Sequence, residues 1–124
     1  PDVHGQRLSL VDFFGSPLIL VFWTTWNPAA VEALATLDVY RLPEGVARLA
    51  IASQEDRSVV VNFVSRGGYG LPVLLDETGD LTERYRARSL PAVYFIDRNG
   101  IIQDVVVGPL TEAELVQKSE QILR

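Results

Sequence analysis

The chain contains no cysteine and no methionine, and its only histidine is His4. Without a thiol, this polypeptide cannot form or exchange a disulfide by itself. The same absence carries no information about redox compartment, because a cysteine-free domain is compatible with either. A single histidine with no cysteine leaves no plausible metal set, and His4 reads as a turn residue. The net charge of −5 is spread along 124 residues rather than gathered into a basic face. Nucleic acid is therefore excluded as a partner, since phosphate neutralisation needs concentrated Lys and Arg. The longest apolar run, Pro17 to Trp23, is far too short to span a bilayer, and no signal peptide is visible. There is no phosphate loop or dinucleotide glycine pattern. No pair of acids suggests glycosidase-type chemistry, and Ser53, Ser58, Ser65 and Ser89 lack a candidate base. No cofactor is implied.

An apolar fraction of 48% is enough for a real core, and 124 residues make one domain of ordinary size. No repeat or low-complexity segment interrupts it. The stretch from Asp2 to Pro17 predicts a strand or two around a His4-Gly5 turn, closed by Gly15-Ser16-Pro17. The continuous apolar run LILVFW predicts a buried central strand. Asn27-Pro28 then opens a helix, Asn being among the best caps and Pro being favoured at the first helical position. Its apolar face is expected at Val31, Leu34, Leu37 and Tyr40.

A second buried strand is predicted over Val46 to Ala52. The following helix has Asp56 as its cap and Val59, Val60, Phe63 and Val64 towards the core. Gly67-Gly68 ends it. LPVLLD is a short extended segment, and Asp80 is expected to cap the helical turn LTERYR. AVYFID and IIQDVVVG form an antiparallel hairpin about the turn DRNG. Thr111 and Glu114 form a capping box ahead of the last helix. Strands separated by helices imply parallel neighbours and right-handed crossovers, and the closing hairpin adds antiparallel strands. The pattern predicts an α/β fold with a mixed sheet and helices on both faces.

Three separated motifs, in order, carry a more specific resemblance. GSPLILVFWTTWNPAA is similar to Gly-x-Pro, an apolar strand and Phe-Trp-x-x-Trp-Cys-Pro-x-Cys. YGLPVLLDETGDLTERYRARSLPAVYFIDRNGII resembles an inserted segment followed by a cis-proline loop and hairpin. VVVGPLTEAEL resembles a final strand, a glycine and a capped last helix. Over nearly the whole chain, the sequence resembles the thioredoxin superfamily, and within it the TlpA/ResA-like, redoxin-type thiol:disulfide oxidoreductases. The resemblance implies a thioredoxin-like fold as a single domain over residues 1–124. It also implies an extracytoplasmic setting, whether secreted, periplasmic or membrane-anchored. A chain beginning at Pro1 fits a fragment of a longer polypeptide, with the usual first strand cut short.

Carried across residue by residue, the resemblance implies an active site without its chemistry. Trp26 and Pro28 match. Asn27 stands where relatives have the nucleophilic cysteine, Ala30 where they have the resolving one, and Ala29 replaces the residue between. The acid often found three places later is Ala33. Glu32 is adjacent in sequence but about 100° around the helix. The buried aspartate of thioredoxins proper is replaced by Val21. Pro91, preceded by Leu90, matches the cis-proline. A helix N-terminus stabilises a thiolate through its dipole and free amides, and a neutral Asn caps the same amides but cannot attack a disulfide. Without exchange, a buried carboxylate has no proton to move and only costs desolvation.

The expected function is that of a redox-inactive thioredoxin-like module that binds protein or peptide, or serves a structural role. The implied contact residues are Trp26, Asn27, Pro28, Leu90 and Pro91, through addition of an extended peptide beside the cis-proline. Trp26 reads either as an exposed contact anchor or as packing against the neighbouring loop. Trp23 reads as core. Arg84, Arg86 and Arg88 read as solvated surface or as a basic rim. The alternative is an oxidoreductase of this family that draws its cysteine from outside these residues. A domain that docks to another part of its own polypeptide is a third reading.

Overall fold

The computed structural model describes residues 10–13 and 15–123. Its organising element is β1, Leu18–Trp23, in which all six side chains are buried. The run is apolar throughout because the strand is paired on both edges and covered on both faces. On one side it pairs in parallel with β2, Ala47–Ser53, and on the other antiparallel with β4, Ala92–Ile96. β3, Val73–Asp76, extends the sheet in parallel beyond β2, and β5, Ile102–Val107, extends it antiparallel beyond β4. The order of this five-stranded mixed sheet is β3-β2-β1-β4-β5.

Alternation along β1 divides the core in two. Ile19, Val21 and Trp23 point towards three helices: α1, Pro28–Val39, α2, Arg57–Gly67, and α4, Glu112–Leu123. Leu18, Leu20 and Phe22 point to the opposite face, where Tyr85, Tyr94 and the short helix α3, Asp80–Arg84, pack. Phe22, Tyr85 and Tyr94 form a ring cluster with centroids 5.3–5.5 Å apart. The Tyr94 hydroxyl donates to the Tyr85 carbonyl at 2.6 Å. Burial pushes both phenols above their ordinary pKa. At the far end of α1, Arg48 Nη1 donates to the carbonyls of Leu37, Asp38 and Tyr40, closing the helix C-terminus.

Several local expectations need correction. The buried stripe of α1 is Ala30, Ala33, Leu34 and Leu37, whereas Val31 and Tyr40 are only half-buried. Leu34 and Leu37 are buried as expected, and the small side chains of Ala30 and Ala33 complete the seam. In α2, Val60 and Val64 are buried, Phe63 is half-buried, and Val59 is 46% exposed. Asp56 stands at the N-cap of α2 but its side chain makes no capping bond. Asp80 does not cap α3. Gly79, at φ 84°, holds that position, and the capping acceptor is Asp76, which receives Leu81 N at 3.1 Å and Thr82 N at 2.9 Å. Residues Leu10–Phe13 form a 3-10 turn rather than a strand. The proposed His4-Gly5 turn and the shortened first strand lie outside the described residues. The capping box forms as expected, with Glu114 N donating to Thr111 Oγ1 and Thr111 donating back to the Glu114 carboxylate.

Candidate functional site

The carboxyl ends of β1 and β2, the N-terminus of α1 and the loop entering β4 converge at one end of the sheet. Open α/β sheets place ligands at such strand ends. β1 stops at Trp23, whose ring is buried against Phe63 with centroids 5.5 Å apart, in agreement with its reading as core. Trp23 Nε1 and Thr24 Oγ1 are buried without a hydrogen-bond partner among the described residues. Thr25 is then held by a residue that sequence reading missed. Its backbone N–H donates to Glu55 Oε1 at 2.7 Å, and its hydroxyl donates to Glu55 Oε2. The Glu55 carboxylate thereby fixes the turn on which Trp26 stands.

Trp26 is 72% exposed, so its ring is not packed into the neighbouring loop. Asn27 is the N-cap of α1, with its Oδ1 accepting from Ala29 N at 3.0 Å and Ala30 N at 3.3 Å. The same carboxamide reaches across the site, where Nδ2 donates to the Leu90 carbonyl at 3.1 Å. Pro28, exposed, occupies the first helical position, where its missing N–H costs nothing. The Leu90–Pro91 peptide bond is cis, and Pro91 O accepts from Gly108 N at 2.9 Å. Leu90 is half-buried and Pro91 is buried.

Val21 is fully buried between Ala50 and Val93, and Ala30 and Ala33 are buried in the α1 seam. Glu32 lies on the exposed side of the helix, away from that seam.

A groove of about 380 Å³ runs past these residues, lined on one side by Trp26, Asn27 and Leu90. Its other wall comes from β2 and the α3 region: Ser53, Gln54, Thr82, Glu83, Ala87 and Arg88 also line it. Of these six only Arg88 was considered from the sequence, as part of a basic rim, although the turn after the second parallel strand is where an α/β sheet presents such residues. Thr82 Oγ1 donates to Asp76 Oδ2 at 2.6 Å, so the Ser53 hydroxyl, 2.7 Å from Thr82 Oγ1, must donate to it. Ser53 therefore offers the groove an acceptor. The rim is of mixed sign, because Glu83 and Arg88 both face it, and it is not the basic rim considered for Arg84, Arg86 and Arg88. Among the described residues no group of three or more His, Cys, Asp or Glu could hold a metal ion. Also among them, no helix is long and apolar enough to cross a membrane.

A sheet with this order, a capped helix leaving its central strand and a proline loop facing that cap define a thioredoxin-like domain. Solved structures agree. A thiol-disulfide isomerase from Corynebacterium glutamicum superimposes with a TM-score of 0.87, at 19% identity, covering 99% of this chain and 90% of that one. The exposed lipoprotein thioredoxin Etrx1 of Streptococcus pneumoniae gives 0.81 at 25% identity, with 97% and 95% covered. The model of the AhpC/TSA family matches residues 1–105, and the chain belongs to that family. Among curated relatives, the thiol-disulfide oxidoreductase ResA of Geobacillus thermodenitrificans is 29% identical over 124 residues, covering 98% of this chain and 71% of the relative. The thioredoxin-like protein YneN of Bacillus subtilis is 28% identical over 122 residues, with 94% and 71% covered. These findings establish the ResA-like resemblance read from the motifs.

Proposed function

We propose that this chain is a redox-inactive member of its family, a module that binds an extended peptide or protein segment in the groove between Trp26 and the Leu90–Pro91 loop. The observation that carries the reading is the 72% exposure of Trp26 beside a groove whose walls are fixed by hydrogen bonds. An exposed indole on a rigid turn is an efficient contact anchor, since it offers large area at small conformational cost. Thr25 and Asn27, on either side of it, are both held by side-chain bonds. Strand addition beside the cis-proline needs no sulfur, so it is available to a chain without cysteine. The proposed site residues are Trp26, Asn27, Pro28, Leu90 and Pro91, of which Trp26, Asn27 and Leu90 line the groove.

The second reading is a thiol:disulfide oxidoreductase that uses a cysteine supplied by another segment or chain. It is favoured by the relatives' names alone. Two assays separate the readings. Insulin reduction by the domain at background rate supports the first, and turnover above background overturns redox inactivity. Extract from the source cell is then passed over the native domain and over Leu90→Arg, which places a charge at the groove, with thermal midpoints compared because Leu90 also packs against the core. A partner held by the native domain and lost from the variant supports the groove. Identical catches move binding to another face.

A further inference from the structure

We propose that Asn27 is a latch that competes with an incoming strand for the Leu90 carbonyl, and so sets which ligands the groove accepts. The inference rests on the groove reading above. A carboxamide carries one acceptor and one donor group on a single plane. The N-terminal amides of α1 claim the oxygen of Asn27, which turns the amino group towards Leu90, 63 residues away in sequence. The helix start is thereby bonded to the residue that precedes the cis-proline. Few side chains can do both jobs. Ser and Asp cap as well as Asn, but the Ser hydroxyl sits at the γ position, one bond short of the Asn amide nitrogen that reaches Leu90, and Asp has no donor and would set a carboxylate against the carbonyl oxygen. Ala does neither.

The consequence for binding is directional. A strand adding to the Leu90 backbone needs its carbonyl as an acceptor, and the Asn27 amino group already occupies that atom from within the groove. The ligand must displace or share that bond. Ligands that rely mainly on ladder hydrogen bonds are therefore penalised. Those that rely on apolar contact with Trp26 and Leu90, or that donate to Ser53, are favoured. A neutral side-chain to backbone bond of this kind is worth about two- to tenfold in an equilibrium.

The test selects a display library of random heptapeptides separately on the native domain and on Asn27→Ser. Enriched peptides are then titrated against the native domain, Asn27→Ser, Asn27→Asp, Asn27→Ala and Leu90→Arg, with thermal midpoints measured in parallel. The latch predicts about two- to tenfold tighter binding to both Asn27→Ser and Asn27→Asp, which keep the helix cap. It also predicts that peptide addition shifts the carboxamide NMR signals of Asn27 in the native domain. A purely structural role would move thermal midpoints without tightening binding in the two capped variants. Peptides that bind the native domain and both capped variants equally, and are lost on Leu90→Arg, overturn the latch and leave the groove standing. Failure to enrich any peptide on either bait overturns both.

Discussion

Restoring the thiol pair is the sharpest perturbation of this site. Asn27→Cys with Ala30→Cys places two thiols in the first turn of α1, one at the cap and one in the buried seam. The strand-to-helix geometry is unchanged by these substitutions, so an oxidant such as glutathione disulfide should close the pair. Closing a loop of four residues is worth ~1.9 kcal/mol in the chain-entropy account. Against this, losing the Asn27 cap costs about 1 kcal/mol and losing its bond to Leu90 about 1 kcal/mol more. The oxidised variant should therefore match the native domain, with the reduced form about 2 kcal/mol less stable. With ~2.1 cal/mol/K of unfolding entropy per residue over 124 residues, that gap separates the two melting midpoints by about 7 °C.

Turnover should nonetheless remain poor. The helix N-terminus will favour a thiolate at position 27, but no carboxylate stands ready to move its proton. Val21 and Ala33 are apolar and buried, and the nearby Glu55 carboxylate is engaged by Thr25. The assay is insulin reduction beside an ordinary thioredoxin, with melting of both redox forms by circular dichroism. Equal rates would refute the argument that the missing acids limit exchange. Coincident midpoints for the two redox forms would refute the claim that the scaffold still presents the pair.

Three further perturbations separate structure from site. Trp26→Ala should change stability by no more than about 0.5 kcal/mol, because the ring is exposed, while abolishing peptide capture; retained capture would remove the indole from the site. Asp76→Ala should cost about 3 kcal/mol in denaturant unfolding, since a buried carboxylate accepting from Leu81 N, Thr82 N and Thr82 Oγ1 is lost, and a cost under about 1 kcal/mol would refute its capping role. The hydrogen bond from Lys118 holds the Asp104 carboxyl below the usual carboxylate range, so its stabilising contribution is fully present above the unfolded pKa of about 3.9 and fades as pH falls through the lower folded value. Asp104→Asn should remove that acid-side dependence at a cost of only ~0.5 kcal/mol at neutral pH, because the pair is only partly buried and remains open to solvent screening, and an unchanged pH profile would refute the assignment.

How much of this was legible in the sequence depended on whether the determining contact was local. β1 could be read because burial on both faces leaves an uninterrupted apolar run. The α1 start and the α4 capping box could be read because their bonds span only a few residues. Asp80 misled because it stands at the right spacing for a cap, whereas the real acceptor, Asp76, comes from the end of a strand and reaches over Gly79. On the α1 face Leu34 and Leu37 could be read, whereas Ala30 and Ala33 are small and weakly apolar and carry little signal of burial in the sequence. Trp26 could be placed beside the cis-proline by motif alone, but the bond that holds its turn, from Thr25 to Glu55, spans 30 residues. The bond between Asn27 and Leu90 spans 63 residues and has no local signature at all.

The polar groups around the groove do not all call for a functional explanation. Asn27 caps a helix, Glu55 holds a turn, and Asp76 with Thr82 and Ser53 closes α3 onto β2. Each would stabilise the fold even if nothing ever bound. Trp26 is different. Most of its ring contacts solvent, so the fold gains little from it, and leaving that apolar area wet forgoes about 25 cal/mol for every Å² that burial would remove from water. Folding stability therefore accounts for the fixed walls of the groove but not for the indole on its lip. A ligand that covers Trp26 recovers that area, and it does so on a turn already ordered by Glu55 and Asn27, with little further entropy to lose. This asymmetry supports the proposed binding at the groove, and it makes Trp26, rather than any of the hydrogen-bonded residues, the position where binding and stability can be separated.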